Sequence, residues 1–377
     1  MSCELVAARR GLCRRSPHRS RSPDVTLLSP RHLRQLAVIG VLLCFTVVAL
    51  GAYVRLTAAG LGCPDWPGCY GHITPSGAVH ALALGSRAQA LVSEERPLML
   101  GKAWREMIHR YAAGTLAVVI AVIAGLALTY RRRAPVHPAF ALMLVGIVIV
   151  QAALGMLTVT WQLEPLIVTL HLLFGMTTLA LLWWLLLSLS RGYPSASAPR
   201  LTRNNAGETQ GQSSVRPVTV AAAAALAALA VQIALGGWTS SNYAAIACPD
   251  FPTCQGAWWP RGDFGHAFAL WNGLNINYEG GVLASPARVA IHLTHRLGAV
   301  IVSVTLAFTA LFVLRRERPP AARRAALAVL AALGLQLLIG TFMVLKAFPL
   351  WLATAHTAGA ALLLLATLAL LRSVTAR

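Results

Sequence analysis

The chain has 377 residues, 57% of them hydrophobic and 12% charged, whereas a soluble domain is roughly half apolar and about a quarter charged. Lys and Arg outnumber Asp and Glu by 32 to 12, a formal charge of +20. The basic residues stand in short clusters between long apolar runs, which argues against nucleic acid as the partner. With a mean hydropathy of +0.64, the charge reads as membrane topology.

A helix needs about 20 predominantly apolar residues to cross the hydrocarbon core. Residues 1–34 come first, a basic tail rich in Arg and Ser and poor in acid. They read as an inner-face anchor, with an organellar transit peptide as the alternative. The first apolar run, 35–56, is long enough to span, so no cleavable secretory signal is expected. Further spans are predicted over 107–130, 138–160 and 166–190. Residues 192–216, rich in Ser, Asn, Gly and Gln, read as a cytoplasmic linker. Runs over 217–239, 288–314, 325–346 and 350–372 complete a set of eight, and the short 161–165 and 347–349 connections make their flanking helices antiparallel neighbours. Eight spans put both termini on one side. That side carries 22 of the 32 Lys and Arg but 4 of the 12 acids, so both termini are predicted to be cytoplasmic and the loops over 57–105 and 240–287 to face outward.

The chain also repeats itself. Cys63, Pro64, Asp65, Pro67 and Cys69 recur as Cys248, Pro249, Asp250, Pro252 and Cys254, an offset of 185. Gln151-x-x-x-Gly155 recurs as Gln336-x-x-x-Gly340 and His171 as His356 at the same offset, and His109-Arg110 recurs as His295-Arg296 at 186. The expected fold is an all-α integral membrane protein of eight transmembrane helices in two tandem four-helix bundles, 35–191 and 217–377. Four spans per unit make the repeat parallel, with a pseudo-two-fold axis along the membrane normal.

Ionisable side chains within a span are costly and mark function. His109, His171, His295 and His356 each fall in the first two turns of a predicted outside-to-inside helix, so all four are expected near the outer face. Two histidines on facing helices at one level suit bis-imidazole haem ligation. A single one would more simply be a hydrogen-bonded structural residue; four, paired and repeated, favour haem. Gly114, Gly175, Gly298 and Gly359 are expected to leave room for a flat macrocycle. Arg110 and Arg296 are candidates to pair with haem propionates or to anchor at the headgroups. Three residues before His109 stands Glu106, and three before His295 stands His292. Positions i and i+3 share a face, so Glu106 is a candidate base or charge stabiliser at the first pair only. The Cys63/Cys69 and Cys248/Cys254 pairs lie in outward loops where disulfides are permitted; a four-cysteine metal site and a redox-active pair are the alternatives. Cys3, Cys13 and Cys44 receive no role.

These residues resemble the haem A synthase family. The resemblance is carried by Gly-Ala-Tyr-Val-Arg-Leu-Thr at 51–57, Gly-Leu-Gly-Cys-Pro-Asp-Trp-Pro-Gly-Cys-Tyr-Gly at 60–71 and Glu-Met-Ile-His-Arg at 106–110. Trp-Asn-Gly at 271–273, Asn-Tyr-Glu-Gly-Gly-Val-Leu at 277–283 and Ile-His-Leu-Thr-His-Arg-Leu-Gly at 291–298 add to it. It covers about residues 35–372. The resemblance implies oxidation of the methyl group at position 8 of haem O to a formyl group by successive hydroxylations, with water as oxygen source, giving haem A for cytochrome c oxidase. It implies that His295 and His356 ligate a resident haem b while His109 and His171 hold haem O beside the catalytic Glu106. It further implies haem O synthase (protohaem farnesyltransferase) as a partner, an external electron acceptor and a bacterial inner-membrane location, the cysteine pairs matching the bacterial branch; a homo-oligomer is allowed. Two other classes fit parts of the pattern. A dihaem b-type electron-transfer or quinol protein shares the four histidines but gives Glu106 no task. A transporter predicts broken helices and a polar midplane site, where this chain clusters its ionisable residues near one surface.

Overall fold

The computed structural model describes residues 30–83, 99–130, 136–190, 216–316 and 318–375. The tail before residue 30 with Cys3 and Cys13, and the linker over 191–215, lie outside the described residues. Among those residues eight helices are long and apolar enough to cross a membrane. They are α1 (Pro30–Leu56), α3 (Leu100–Thr129), α4 (Pro138–Thr160), α5 (Pro165–Leu189), α6 (Arg216–Ser241), α8 (Ser285–Leu314), α9 (Pro320–Leu345) and α10 (Leu350–Thr375). The short helices α2 (Pro75–Ala83) and α7 (Phe264–Ala267) lie in the two long loops. The integral-membrane all-α expectation holds.

Helix starts follow local chemistry. Proline stands in the first turn of α4, α5, α8 and α9, where its missing N–H costs nothing. Glu164 caps α5 by accepting the Ile167 N–H at 2.9 Å, and its burial pushes the carboxyl above the usual range against that bond. Four helices begin three or more residues earlier than hydropathy suggests: α1 at 30 rather than 35, α3 at 100 rather than 107, α8 at 285 rather than 288, and α9 at 320 rather than 325. A hydropathy run stops at the first charge, whereas Lys102, Arg105 and Glu106 are good helix formers. Consequently His109 is the tenth residue of α3 and His295 the eleventh of α8, about three turns in rather than two. His171 and His356 are each the seventh residue of their helices.

Packing closes two rings. α1 and α4 each contact both α3 and α5; α6 and α9 each contact both α8 and α10. The rings meet where α1 packs on α10, and α5 on α6 and α10. At this seam Gly237 lets α6 approach α5, since a Cβ there would stand 3.1 Å from Leu172 and 3.2 Å from Thr169. Trp183 donates its indole N–H to the Leu365 carbonyl at 2.9 Å. One apolar core runs through both rings, from Leu33 and Ile120 to Leu306 and Leu370.

The second long loop also reaches over the first ring. Tyr278 donates its backbone N–H to the Gln162 carbonyl at 3.0 Å, Trp271 meets Trp161 edge-on at 5.5 Å, and Glu279 pairs with Lys102 at 3.7 Å.

Leu182 is fully buried and lies against Gly40. Leu182→Ala should cost about 2–5 kcal/mol, read as a lower midpoint of thermal unfolding in detergent. Leu142→Ala, on the exposed side of α4, should leave that midpoint nearly unchanged.

Candidate functional site

Each cysteine pair is closed as a disulfide, Cys63–Cys69 with an S–S distance of 2.03 Å and Cys248–Cys254 with 1.96 Å. The four sulfurs are therefore not a shared metal site. Within the first loop Asp65 accepts the backbone N–H groups of Tyr70 and Gly71 at 2.6 and 2.8 Å. Within the second, Asp250 accepts those of Gln255 and Gly256 at 2.6 and 3.0 Å. Tyr70 and Gln255 both take left-handed backbone, with φ of 52° and 55°, so the residues following the two disulfides turn alike. The Thr253 hydroxyl and these N–H groups hold the Asp250 carboxyl down at about 2.

Arginines dock both loops onto the helices that carry histidines. Arg110 donates to the carbonyls of Asp65 and Pro67 at 2.9 and 3.2 Å and to that of Gly68. Arg296 donates to those of Thr253, Asp250 and Cys248 at 2.7, 2.8 and 3.2 Å. These guanidinium groups thus spend their donors on loop carbonyls. Glu106 completes the first clamp: Oε2 accepts the Cys63 N–H at 2.9 Å and Oε1 pairs with Arg110. The matching residue in the second half, His292, accepts from Arg296 Nε at 3.3 Å. Both are buried, at 4% exposure.

Beneath the loops lies a cavity of 1420 Å³ reaching into both rings and lined by all four histidines, Glu106 and His292. The rings of His109 and His171 face one another with centroids 6.5 Å apart and planes at 76°. Two imidazoles on opposite sides of one metal, with bonds of about 2 Å, place their centroids about 6 Å apart. The Nδ1 atoms of His109, His171, His356 and also His292 are buried and make no well-formed hydrogen bond. Largely apolar walls and orphaned imidazole nitrogens fit haem and its axial bonds.

A glycine on the neighbouring helix faces every ring. A Cβ at Gly51, Gly155, Gly236 or Gly340 would stand 3.0, 3.2, 3.3 or 2.9 Å from Cε1 of His109, His171, His295 or His356 respectively. Of the glycines expected to clear a macrocycle, only Gly114 faces open space. A Cβ at Gly175, Gly298 or Gly359 would meet Gln151, Gln232 or Gln336 at 3.3, 2.2 and 2.2 Å. Those three glycines make room for glutamines. Gln232 with Gly236, and Gly51, were legible in the sequence: the first repeats the Gln-x-x-x-Gly pattern, and Gly51 lies 185 residues before Gly236.

Arg55 also lines the cavity. It crosses the seam to donate to the carbonyls of Ser240 and Ser241 at 2.7 and 3.3 Å, and stacks 3.9 Å over the Tyr243 ring. Its Nε has no hydrogen-bond partner. Among the described residues no carboxylate lies at ion-pair distance from it.

Residues 34–368 match the model of the COX15-CtaA family, described as cytochrome oxidase assembly proteins. A haem A synthase from Shewanella oneidensis is 41% identical over 321 residues, covering 85% of this chain and 89% of that protein. The chain belongs to the haem A synthase family. Other members of this family match at greater distance: haem A synthases from Paracoccus denitrificans and Shouchella clausii are 29% and 24% identical, covering 83% and 82% of this chain and 80% and 83% of those proteins. The family match spans both rings and all four cavity histidines.

Because a Cβ added at Gly340 would stand 2.9 Å from the His356 ring, Gly340→Ala should tilt that imidazole. If His356 ligates a haem, the spectrum of the purified protein should shift from low-spin towards high-spin. Gly334→Ala, where an added Cβ meets nothing within 4 Å, should leave the spectrum unchanged.

Proposed function

We propose that this chain converts haem O to haem A by oxidising the methyl group at position 8 to a formyl group, for delivery to cytochrome c oxidase. The carrying observation is the pair of imidazoles 6.5 Å apart with one buried carboxylate, Glu106, a turn away on the same helix. His109 and His171 hold haem O, and His295 and His356 hold a resident haem b. When bound, haem b supplies one-electron transfer. Each hydroxylation adds oxygen from water and releases two protons and two electrons, the electrons being taken up by an external acceptor. A second hydroxylation of the same carbon followed by loss of water gives the formyl group.

Glu106 accepts a proton from the attacking water and stabilises positive charge at the methyl carbon. The Cys63 N–H and Arg110 fix its orientation, which couples the disulfide loop to the position of the base. At the other pair the equivalent residue is His292, so no anion stands there. Arg55, with its free Nε in the cavity wall, suits a haem propionate better than Arg110 or Arg296, whose donors are taken by loop carbonyls. The disulfide loops face outward and the termini lie in the cytoplasm of a bacterial inner membrane. Haem O comes from the protohaem farnesyltransferase that makes it. The two rings of helices then serve as a substrate unit and a resident unit about a pseudo-two-fold axis.

Haem extraction and chromatography from membranes holding this protein and a haem O source should show haem A. Glu106→Gln should retain haem b and abolish haem A; normal haem A yield from that variant would sink the role of Glu106. Two equivalent haem b groups and no haem A from the native chain would favour a dihaem electron-transfer protein. A periplasm-dependent phosphatase fused after residue 260 should be active, and one fused after residue 200 inactive.

A further inference from the structure

Arg55, in the last turn of α1, bonds to its own counterpart in the repeat. Ser240 stands 185 residues later, and its carbonyl accepts from Arg55 at 2.7 Å, with that of Ser241 at 3.3 Å. A side chain that meets its own counterpart stands between the two halves. Four residues before Arg55 is Gly51, against the His109 ring, and four before Ser240 is Gly236, against the His295 ring. Along either helix that step is about 6 Å. Gly51, Arg55, Gly236, Ser240 and Tyr243 all line the one cavity.

The groups around Arg55 hold its charge without cancelling it. Helix C-termini carry partial negative charge at their carbonyls, and Arg55 bonds to those at the end of α6 while stacking 3.9 Å over the Tyr243 ring. Glu279, which acts on it from the cap, is paired with Lys102 at 3.7 Å. The other two arginines of the cavity differ. Arg110 is paired with Glu106, and Arg296 keeps its charge but bonds only within its own half. A cation within a span is costly and marks a function.

A positive charge near a haem iron favours the ferrous state, which carries one positive charge fewer, and does so strongly where the dielectric is low. We propose that Arg55 is a cation shared by both histidine pairs, so that an anionic porphyrin bound at His109 and His171 neutralises it and lowers the reduction potential of the haem held by His295 and His356. By linkage, the first site then takes its carboxylate-bearing substrate more tightly when the second is oxidised. Arg55 is thus a positioning residue for charge rather than a catalytic one. The inference rests on the assignment of haem O to the first pair and haem b to the second.

The test is a spectroscopic redox titration of the purified full-length protein carrying its resident haem. The probes are the zinc analogue of haem O, whose metal keeps one oxidation state, and the dimethyl ester of that analogue, which has no free carboxylates. The free acid should lower the midpoint potential and the ester should leave it in place. Arg55→Gln should lower the midpoint with the first site empty and abolish the response to the free acid. Arg55→Lys, which keeps the charge, should restore both towards the native values, an outcome that loss of the Ser240 and Ser241 bonds alone does not give. An unchanged midpoint in folded Arg55→Gln would overturn the proposal. Equal shifts from acid and ester in the native protein, or none from either, would do so even if that variant fails to fold. His109→Ala should abolish binding of the analogue. Undiminished binding there would overturn the substrate assignment and the proposal with it, whereas lost binding there with an unmoved midpoint in the loaded native protein would overturn the coupling alone.

Discussion

An imidazole fits between two closely packed helices only where the facing helix has no side chain. In this chain that condition is met four times, with ring carbons 2.9–3.3 Å from where a Cβ would be at Gly51, Gly155, Gly236 and Gly340. Glycine costs a helix roughly 1 kcal/mol relative to alanine, so keeping one opposite each ring makes structural sense only if ring position matters. The close approach fixes how far each pair of imidazoles reaches into the cavity, and with it the 6.5 Å spacing of His109 and His171.

The loops above the cavity depend on the same helices. Glu106 and Arg110 lie within one turn of His109, and His292 and Arg296 within one turn of His295. The side chains that dock each disulfide loop are therefore continuous with those that line the cavity. Arg110 and Arg296 satisfy loop carbonyls that would otherwise lack partners near an apolar bundle.

Duplication supplies the frame, and departures from it supply direction. Glu106 against His292, Val47 against Gln232, and the crossing of Arg55 to Tyr243 all break the equivalence of the halves. So does the cap laid over the first ring by Trp271, Tyr278 and Glu279. Each difference bears on the pair containing His109, where the methyl oxidation is proposed.

Eight spans, the repeat and the four histidines could be read in the sequence, because spanning length, charge bias and offset are properties of the chain alone. The cysteine pairings were narrowed to alternatives that only spatial proximity could separate. The starts of α1, α3, α8 and α9 were misplaced because hydropathy stops at a charge while a helix does not. Arg110 and Arg296 stood as candidates for propionates until the loop carbonyls they bind were in view, and Gly298 and Gly359 proved to accommodate glutamines rather than a macrocycle. Which helix faces which ring, and so which glycine lies against it, depends on interhelical approach. The sequence by itself determined the helices and their chemistry; the tertiary structure alone decided their contacts, because the rotation and spacing of one helix against another are set by packing across the bundle.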